Sequence, residues 1–495
     1  MSSSPAPTTR ITVPQWLIII IAIIGFLFDT YQLLMTPLAG PPAIAELLKV
    51  PLSNPAVTEW MGNLLWLSAL CGGVFGLLGG WLTDRLGRKF VMALGIFVYS
   101  FSPVGGAYCH TLGAFIFFRC ATFVGVCIEF VAAVTWIAEV FTDKVQKERW
   151  LGVTQAFASL GGVMVTSISL WIGVNSKGFP HIGLPSALGA ADPAAWRYLM
   201  LTGLIPAIPI ALMLPFVPES QIWREKKKAG TLKRPSFGEL FSPGFLRITL
   251  ITAGLSACAY GIAFGALQLT PGRIAPGLPN LAEQRKALLP LVAEAKALNA
   301  KFDLTLPNTP ERIAALGPIK ANAAKQKPIQ DKVKQVGGET QFYQEMGGLV
   351  GRIALALLII VGIGRRLLLR CLQIPGLIIV PVTFFILYKQ DATVFSWGIA
   401  LIGFVVMSQL SFLGEYLPRA FPMHLRGTGG SFATNVGGRM IGTSAAFITT
   451  KLVTLFPGSP FDQMARAAGW VGLVIAILSD ILGVFLPEPK ADDAV

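Results

Sequence analysis

The sequence predicts an all-α membrane protein with twelve transmembrane helices, arranged as two bundles of six. Of its 495 residues, 53% are hydrophobic and only 13% are charged, which is about half the charged fraction of a typical soluble domain. Apolar runs close to the ~20 residues that cross a bilayer recur along the chain. Because lipid cannot satisfy backbone N–H and C=O groups, such runs form helices, and their continuity excludes the alternating pattern of a β-barrel.

The orientation follows from a polar hinge, residues 80–89, between the apolar runs Met61–Trp81 and Phe90–Ala107. The hinge holds one acid and three bases, and an excess of Lys and Arg in short loops marks the cytoplasmic side. We therefore expect the hinge and both termini to lie in the cytoplasm. The other ten predicted spans are 14–38, 112–141, 152–174, 198–217, 246–269, 346–364, 374–388, 394–417, 429–455 and 468–486.

Two polar segments interrupt this pattern. The basic segment 218–245 is predicted to be a cytoplasmic linker between an N-terminal bundle, 1–217, and a C-terminal bundle, 246–495. Residues 271–345 form an insertion that the parity of the spans places outside the cytoplasm. We interpret this insertion as a helical hairpin of Leu281–Phe302 and Pro310–Val336, with a flexible spacer as the alternative.

The composition limits the classes of function. The net charge of +14 is concentrated in loops, where it predicts contact with membrane lipids and no binding of nucleic acid. The six cysteines show no CxxC spacing and the three histidines do not cluster, so neither a disulfide framework nor a metal site is indicated. We find no nucleophile–base set and no phosphate-cradling loop. We therefore expect a protein that is not an enzyme, uses no cofactor and is monomeric.

Three ionisable residues within the spans are candidates for proton coupling: Asp29, Arg119 and Glu129. A charged side chain at the bilayer centre costs on the order of 3 kcal/mol or more, so such residues are often functional. Asp29 either serves a proton or substrate site or reaches the interface from near the helix end. Arg119 is its predicted ion-pair partner. Glu129 either faces a water-filled cavity or bonds to a neighbouring helix.

Polar residues in spans 1, 5 and 11 are candidates for contacting a substrate. They are Gln32, Gln155, Asn435 and Arg439. An interhelical hydrogen bond is the alternative for Gln155, which is followed by small residues that permit close helix packing. Arg119 and Arg439 are compatible with an organic anion, although both also have structural explanations.

The hinge, Gly80-Trp-Leu-Thr-Asp84-Arg85-Leu-Gly87-Arg88-Lys89, matches the signature of the major facilitator superfamily at every fixed position, between the same two spans. The chain also resembles the sugar-porter and metabolite–proton symporter branches of that family. Glu139 ends span 4 and is followed by Arg149, and the segment from Glu415 to Arg426 after span 10 echoes that from Glu139 to Arg149. In those branches the residues similar to Asp29 and Arg119 couple protons, and the glutamine similar to Gln155 contacts sugars.

This resemblance implies two pseudo-symmetric six-helix bundles that rock about a site near the membrane midplane. It implies a secondary transporter, energised by the proton gradient, that takes up a small polar metabolite of the sugar or organic acid class across a bacterial inner membrane. A uniporter and a receptor that uses 271–345 to bind an outside partner are the alternatives. The predicted cytoplasmic gate comprises Gly80, Asp84, Arg85, Gly87, Arg88, Glu139, Arg149, Glu415 and Arg426.

The chain departs from the family pattern at three places. The second copy of the hinge, Gly362-Ile-Gly-Arg-Arg366, has Val361 where the acid is expected. The paired glutamines that sugar porters carry in span 7 are absent from 256–268, which does not support a hexose. The proline–glycine motif of drug-exporting antiporters is absent from span 5, which favours uptake over drug efflux.

Overall fold

The computed structural model describes residues 11–50, 54–141, 146, 150, 153–154, 157–185, 193–231, 235–300, 310–361 and 363–487. The helices of the first half are α1 (Val13–Leu47), α2 (Pro55–Leu86), α3 (Arg88–Tyr108), α4 (Leu112–Val140), α5 (Ala158–Asn175) and α6 (Ala195–Phe216). The remaining helices are α7 (Gln221–Lys228), α8 (Leu246–Gly265), α9 (Ala282–Ala300), α10 (Pro310–Ile360), α11 (Arg365–Lys389), α12 (Ala392–Ala420), the segmented α13 (426–455) and α14 (Pro460–Val484).

Ten helices in the described part of the chain are long and apolar enough to cross a membrane. They coincide with ten of the twelve predicted spans. The other two predicted spans fall on α5, which has 18 residues, and on α13, which is divided into α, π and 3-10 segments. The protein is therefore an all-helical membrane protein, while the count of twelve and the cytoplasmic position of the termini stay predictions.

The buried apolar side chains form separate clusters in the two halves. One cluster lies within residues 18–217. The second half contains two clusters, one that includes Ile262 and Phe384 and one that includes Leu240 and Phe412. The boundary between the clusters falls near the linker at 218–245, whose role in dividing the chain into domains stays a prediction.

Within the hinge, the single residue Gly87 separates α2 from α3. Its φ of +111° lies in the left-handed region, which glycine adopts without a steric penalty. The Glu219 carboxylate accepts hydrogen bonds from the backbone N–H groups of Arg88, at 3.0 Å, and Lys89, at 3.1 Å. Because the first N–H groups of a helix lack partners within the helix, this contact caps α3 with a favourable negative charge.

The first helix is longer than the sequence predicted. The prediction ended span 1 at Leu38, before the prolines at 41 and 42, whereas α1 continues to Leu47. The extra turns pack against the bundle, because Ala43 and Ile44 are fully buried. Proline is tolerated where neighbouring elements hold the helix in place.

The change of composition predicts that the insertion ends before span 8, and this prediction is wrong. Its second helix and span 8 form one helix, α10, of 51 residues. Pro318 and Pro328 lie within this helix without ending it. Gly337 lies against the backbone of Pro271, where an added Cβ would collide with the carbonyl oxygen. This close contact supports the helix next to Val336, where the predicted hairpin ends.

Candidate functional site

Two acids, Asp29 of α1 and Glu129 of α4, face each other inside the first half. Asp29 is 5% exposed and Glu129 is fully buried, and the two carboxyl groups interact with each other. Gly25 lies one turn before Asp29, and a Cβ there would collide with Oε1 of Glu129. Among the described residues, none donates a hydrogen bond to either carboxylate. Two ionised carboxylates placed together repel each other.

The predicted ion pair between Arg119 and Asp29 is absent from this conformation, so that prediction is wrong. The Arg119 guanidinium donates a hydrogen bond to the backbone oxygen of Gln32, at 2.9 Å, and another to the Thr36 hydroxyl. These acceptors lie one to two turns further along α1 than Asp29, which displaces the arginine by roughly 5–10 Å along the helix. Arg119 therefore ties α4 to α1 through polar groups rather than through the acid.

Gln32 also connects helices in this conformation. Its side-chain amide is 1% exposed and donates hydrogen bonds to the backbone oxygens of Tyr99, at 3.2 Å, and Gly203, at 3.3 Å. The side chain therefore joins α1 to α3 and α6, and its predicted contact with a substrate stays a prediction.

Arg439 and Asn435 of α13 reach the first half. The Arg439 guanidinium donates to Oδ1 of Asn435, at 3.1 Å, and stacks on Phe130 of α4, 5.4 Å from the ring centroid. It also interacts electrostatically with Asp29. Asn435 donates to the backbone oxygen of Cys127, at 3.3 Å. A cation of one half thus lies opposite the acid pair of the other half.

The backbone around Arg439 is irregular. Residues Phe432–Ile441 form a π-helix, a geometry that occurs often at functional sites. Arg439 is 3% exposed, and its Nε has no hydrogen-bond partner among the described residues. The sequence identified Asn435 and Arg439 as polar residues of span 11, but it did not predict the π-helix.

The C-terminal half contains a charged pair that the sequence predictions did not include. Glu345 and Arg352 lie on α10, two turns apart, and interact electrostatically. Arg352 also interacts with Tyr260 of α8, as does Arg439. Glu345 escaped notice because the prediction placed it one residue before span 8, in the insertion. The spacing of seven residues was the available signal, because it places both side chains on one helix face.

The ends of the two halves that are predicted to be cytoplasmic are joined through Asp84 of the hinge. One of its oxygens accepts a hydrogen bond from the backbone N–H of Gly427, at 3.0 Å. The other accepts from the backbone N–H and the hydroxyl of Thr428, both at 2.8 Å. Gly80, one turn earlier, permits this approach, because a Cβ there would lie 2.5 Å from the Gly427 oxygen.

A buried charge network surrounds this contact. Nη2 of Arg88 lies 2.8 Å from Oε1 of Glu139 and 3.5 Å from Oδ1 of Asp84. Nη1 of Arg426, from the other half, lies 3.2 Å from the same Glu139 oxygen. Ser220 donates a hydrogen bond to the second Glu139 oxygen, at 2.6 Å. We call Asp84, Arg88, Glu139, Arg426 and Thr428 the clasp.

The C-terminal half repeats part of this arrangement. Nη2 of Arg365, at the start of α11, lies 3.2 Å from Oε1 of Glu415, at the end of α12. Arg88 and Glu139 occupy the same positions on α3 and α4. Glu415 also pairs with Arg419, at 2.9 Å. Glu415 thus belongs to a second charge cluster rather than to the clasp.

Other predicted gate residues have different outcomes. Arg85 is exposed and its guanidinium stacks on Trp81 of the same helix, 4.9 Å from the ring centroid, so the structure places it outside the clasp. It points away because Asp84, not Arg85, lies on the face of α2 that meets α13. Arg149 and Gln155 lie outside the described residues.

The family model described as Major Facilitator Superfamily matches residues 17–282, more than half of the chain. The chain belongs to the major facilitator superfamily. The recognition based on the hinge is therefore confirmed. Proteins of this superfamily are transporters rather than enzymes, and they bind small-molecule substrates.

Members of the superfamily with different named substrates are similar to this chain. The niacin transporter NiaP of Acinetobacter baylyi is 24% identical over 461 residues, covering 87% of this chain and 86% of that protein. A glucose transport protein of Synechocystis is 32% identical over 158 residues, covering 31% of each chain. The solved structure of the proton:xylose symporter XylE, with 6-bromo-6-deoxy-D-glucose bound, superposes with a TM-score of 0.64 over 97% of this chain at 16% identity. That structural match shows the fold.

Proposed function

We propose that this major facilitator protein takes up a small polar metabolite, of the sugar or organic acid class, by proton symport through alternating access. The observation that carries the proposal is the position of the Asp29–Glu129 pair opposite Arg439. A proton on the pair removes one negative charge from this contact between the halves. Because charge interactions are strong where water is excluded, the proton alters how tightly the halves attract each other.

The clasp supplies the second element of alternating access. Its hydrogen bonds join α2 and α4 to α13 at the ends that the sequence predicts to be cytoplasmic. With the clasp formed, the inner side is closed, and rocking of the two halves about a midplane site opens it. Proton and substrate bind from the outside, the clasp opens, and both leave on the inside.

The roles of individual residues follow from their contacts. Asp29 and Glu129 carry the proton, which changes the electrostatic attraction between this pair and Arg439 of the other half. Arg119 positions α1 against α4, because its Nη2 donates to the Gln32 backbone oxygen and to the Thr36 hydroxyl. Asn435 orients Arg439 through the hydrogen bond of 3.1 Å. No cofactor takes part, and the proton gradient supplies the energy.

The named relatives support both substrate classes, since one is a niacin transporter and another a glucose transport protein. We place the protein in a bacterial inner membrane as a monomer, with both termini and the linker 218–245 in the cytoplasm. The basic residues of the hinge and linker agree with that orientation.

The test is Asp29→Asn in proteoliposomes made with the full chain. The variant is expected to lose accumulation driven by a pH gradient while it retains counterflow exchange, because exchange needs no net proton movement. Asp331→Asn, at an exposed position of α10, is the matched control. Gradient-driven accumulation that survives in Asp29→Asn would show that another group carries the proton, and its absence from the unaltered protein would show that the protein is a uniporter.

A further inference from the structure

A cavity lies between the last turns of α11 and the first turns of α14. Its volume is about 250 Å³, which is far above the ~10–15 Å³ that one water molecule needs. Lys389 of α11, together with Asp462 and Arg466 of α14, lines the cavity. Because α11 begins at the second copy of the hinge, which the sequence predicts to be cytoplasmic, the cavity lies at the end predicted to be extracytoplasmic.

The two helices present the same order of side chains toward the cavity. On α11, Phe385 lies one turn before Lys389, and on α14, Trp470 lies one turn after Arg466. Because residues four apart share a helix face, the two cations lie toward the helix ends and the two rings lie one turn deeper. The Phe385 and Trp470 rings pack together, with centroids 5.5 Å apart. The cavity therefore has cations at its outer level and aromatic rings at its inner level.

Close packing holds the protein side of the cavity in place. Gly469 brings α14 against α11, because a Cβ there would lie 2.7 Å from Cε1 of Phe385. The Tyr388 hydroxyl donates a hydrogen bond to Oδ1 of Asp462, at 3.2 Å, and a Cβ on Gly277 would collide with the same hydroxyl. Tyr388 is therefore held between α14 and the segment that precedes α9.

The charged groups that line the cavity leave an excess of one positive charge. Within the described part of the chain, the side chains of Lys389 and Arg466 form no ion pair and no hydrogen bond. Asp462 is already engaged, because its Oδ2 accepts hydrogen bonds from the backbone N–H of Ser459, at 3.1 Å, and from the Ser459 hydroxyl, at 2.7 Å. Two cations without partners and one engaged acid fit a ligand with a single negative charge.

The surface that continues from the cavity along both helices is apolar. Trp470 is 50% exposed. The exposed apolar side chains beside and below it on α11 and α14 are Ile378, Ile386, Val474, Ile477 and Ile481. Such a surface faces acyl chains in a membrane protein, and tryptophan lies at the level of the lipid head groups. A molecule in the cavity therefore adjoins lipid, which favours a membrane lipid over a soluble ion.

We propose that this cavity binds the head group of an anionic phospholipid whose phosphodiester carries one negative charge, as in phosphatidylglycerol. Lys389 and Arg466 contact the phosphate oxygens, and the neutral alcohol of the head group occupies the rest of the cavity. The acyl chains leave along the apolar faces of α11 and α14. The lipid bridges these two helices, so its binding stabilises the C-terminal half. This site is separate from the proposed proton coupling and does not depend on it.

The first experiment measures the melting temperature of the delipidated full chain in detergent with added lipid. Dioleoyl phosphatidylglycerol is expected to raise it more than dioleoyl phosphatidylcholine, because only the first lipid carries a net negative charge. Glycerol 3-phosphate at the same concentration is expected to have no effect, because it lacks acyl chains. Equal shifts from the two lipids overturn the proposal. A shift from glycerol 3-phosphate as large as that from phosphatidylglycerol also overturns it, because the cavity then takes a soluble anion.

Variants locate the site. Lys389→Gln and Arg466→Gln are each expected to weaken binding of phosphatidylglycerol by at least ~5-fold and so to reduce the difference between the two lipids, whereas Arg466→Lys retains it. Lys451→Gln, at an exposed position of α13 near the same end, and Arg224→Gln, on the exposed side of α7, control for general attraction to positive charge. Because two lipids are compared within each variant, a change in the stability of the lipid-free protein does not affect the result. An unchanged difference in both Lys389→Gln and Arg466→Gln overturns the proposal.

A photoactivatable phosphatidylglycerol identifies the contact directly. Cross-links are expected in the peptides that contain 384–389 and 462–470, and they are expected to be lost when Lys389→Gln and Arg466→Gln are combined. Cross-links of the same yield in the combined variant show general contact of lipid with this surface, and so contradict a specific site.

Discussion

The Asp84 carboxylate of the N-terminal half accepts two hydrogen bonds from Thr428 of the C-terminal half, each 2.8 Å long. The halves are thus joined by a carboxylate on backbone and side-chain donors, next to the buried pair of Arg88 and Glu139. This contact between the halves therefore depends on the Asp84 carboxylate.

The clasp yields the first prediction. Asp84→Asn leaves the N–H groups of Gly427 and Thr428 facing an amide without the charge, which costs about 1–3 kcal/mol for each unsatisfied donor. We expect the cytoplasmic side to open more often. Cys127, which is fully buried at the contact between the halves, is then labelled faster by an impermeant maleimide from the cytoplasmic side.

The labelling needs a background in which the other cysteines are serine: Cys71, Cys109, Cys120, Cys258 and Cys371. Arg85→Gln is the control, because Arg85 is adjacent in sequence but lies outside the clasp. Equal labelling rates in Asp84→Asn and Arg85→Gln would mean that the clasp does not hold the inner side closed.

The second prediction concerns Gly25. Gly25→Ala places a Cβ where Oε1 of Glu129 lies, so the carboxylate at the end of this side chain has to move. The acid pair must separate, so we expect uptake driven by a pH gradient to fall while counterflow is retained. Gly62→Ala is the matched control, because nothing lies within 4 Å of the Cβ added there. If uptake by Gly25→Ala depends on the pH gradient as it does in the wild type, the acid pair does not take part in proton coupling.

The sequence predicted the helical membrane fold, most spans and the family, because apolar runs and the hinge are local patterns. It also identified Asp29, Arg119 and Glu129 as costly ionisable groups within the spans, and Arg439 as a candidate for substrate contact. It paired Asp29 with Arg119 wrongly, since which residues meet depends on the rotation and depth of α1 and α4. Arg439 reaches Asp29 from a helix more than 400 residues later in the chain, and no local pattern reports that contact.

The third prediction concerns the opposite end of the first half. Nη2 of Arg197 lies 2.7 Å from Oε1 of Glu46, and Nη1 donates to the backbone oxygen of Cys109, at 3.0 Å. Removing one member of a buried pair costs about 3–5 kcal/mol, so Arg197→Gln is expected to lower the melting temperature of the purified protein. The exposed Arg224→Gln is expected to leave it unchanged. A shared melting temperature for both variants would contradict a structural role for Arg197.

The fourth prediction separates a carrier from a receptor. In the insertion, Glu294 accepts a hydrogen bond from Asn322, at 2.7 Å, and the Leu291 oxygen accepts one from Gln326, at 3.2 Å. These pairs run antiparallel, so the chain at 282 lies close to 335. Replacing 282–335 by a short Gly/Ser linker is expected to retain counterflow, because Gly337 keeps its contact with Pro271. Complete loss of flux in a folded variant would show that the insertion is required for transport.

The central claim is that substrate crosses only when α2 and α13 separate. A Cβ on Gly73 would lie 2.7 Å from the Met440 Cβ, about 1 Å closer than the mean Cβ separation in a disulfide. The decisive measurement is counterflow by Gly73→Cys combined with Met440→Cys, in the background without native cysteines, before and after oxidation. We predict that oxidation abolishes counterflow and that a reductant restores it, while each single variant is unaffected. Full counterflow with the two cysteines quantitatively cross-linked would contradict the account.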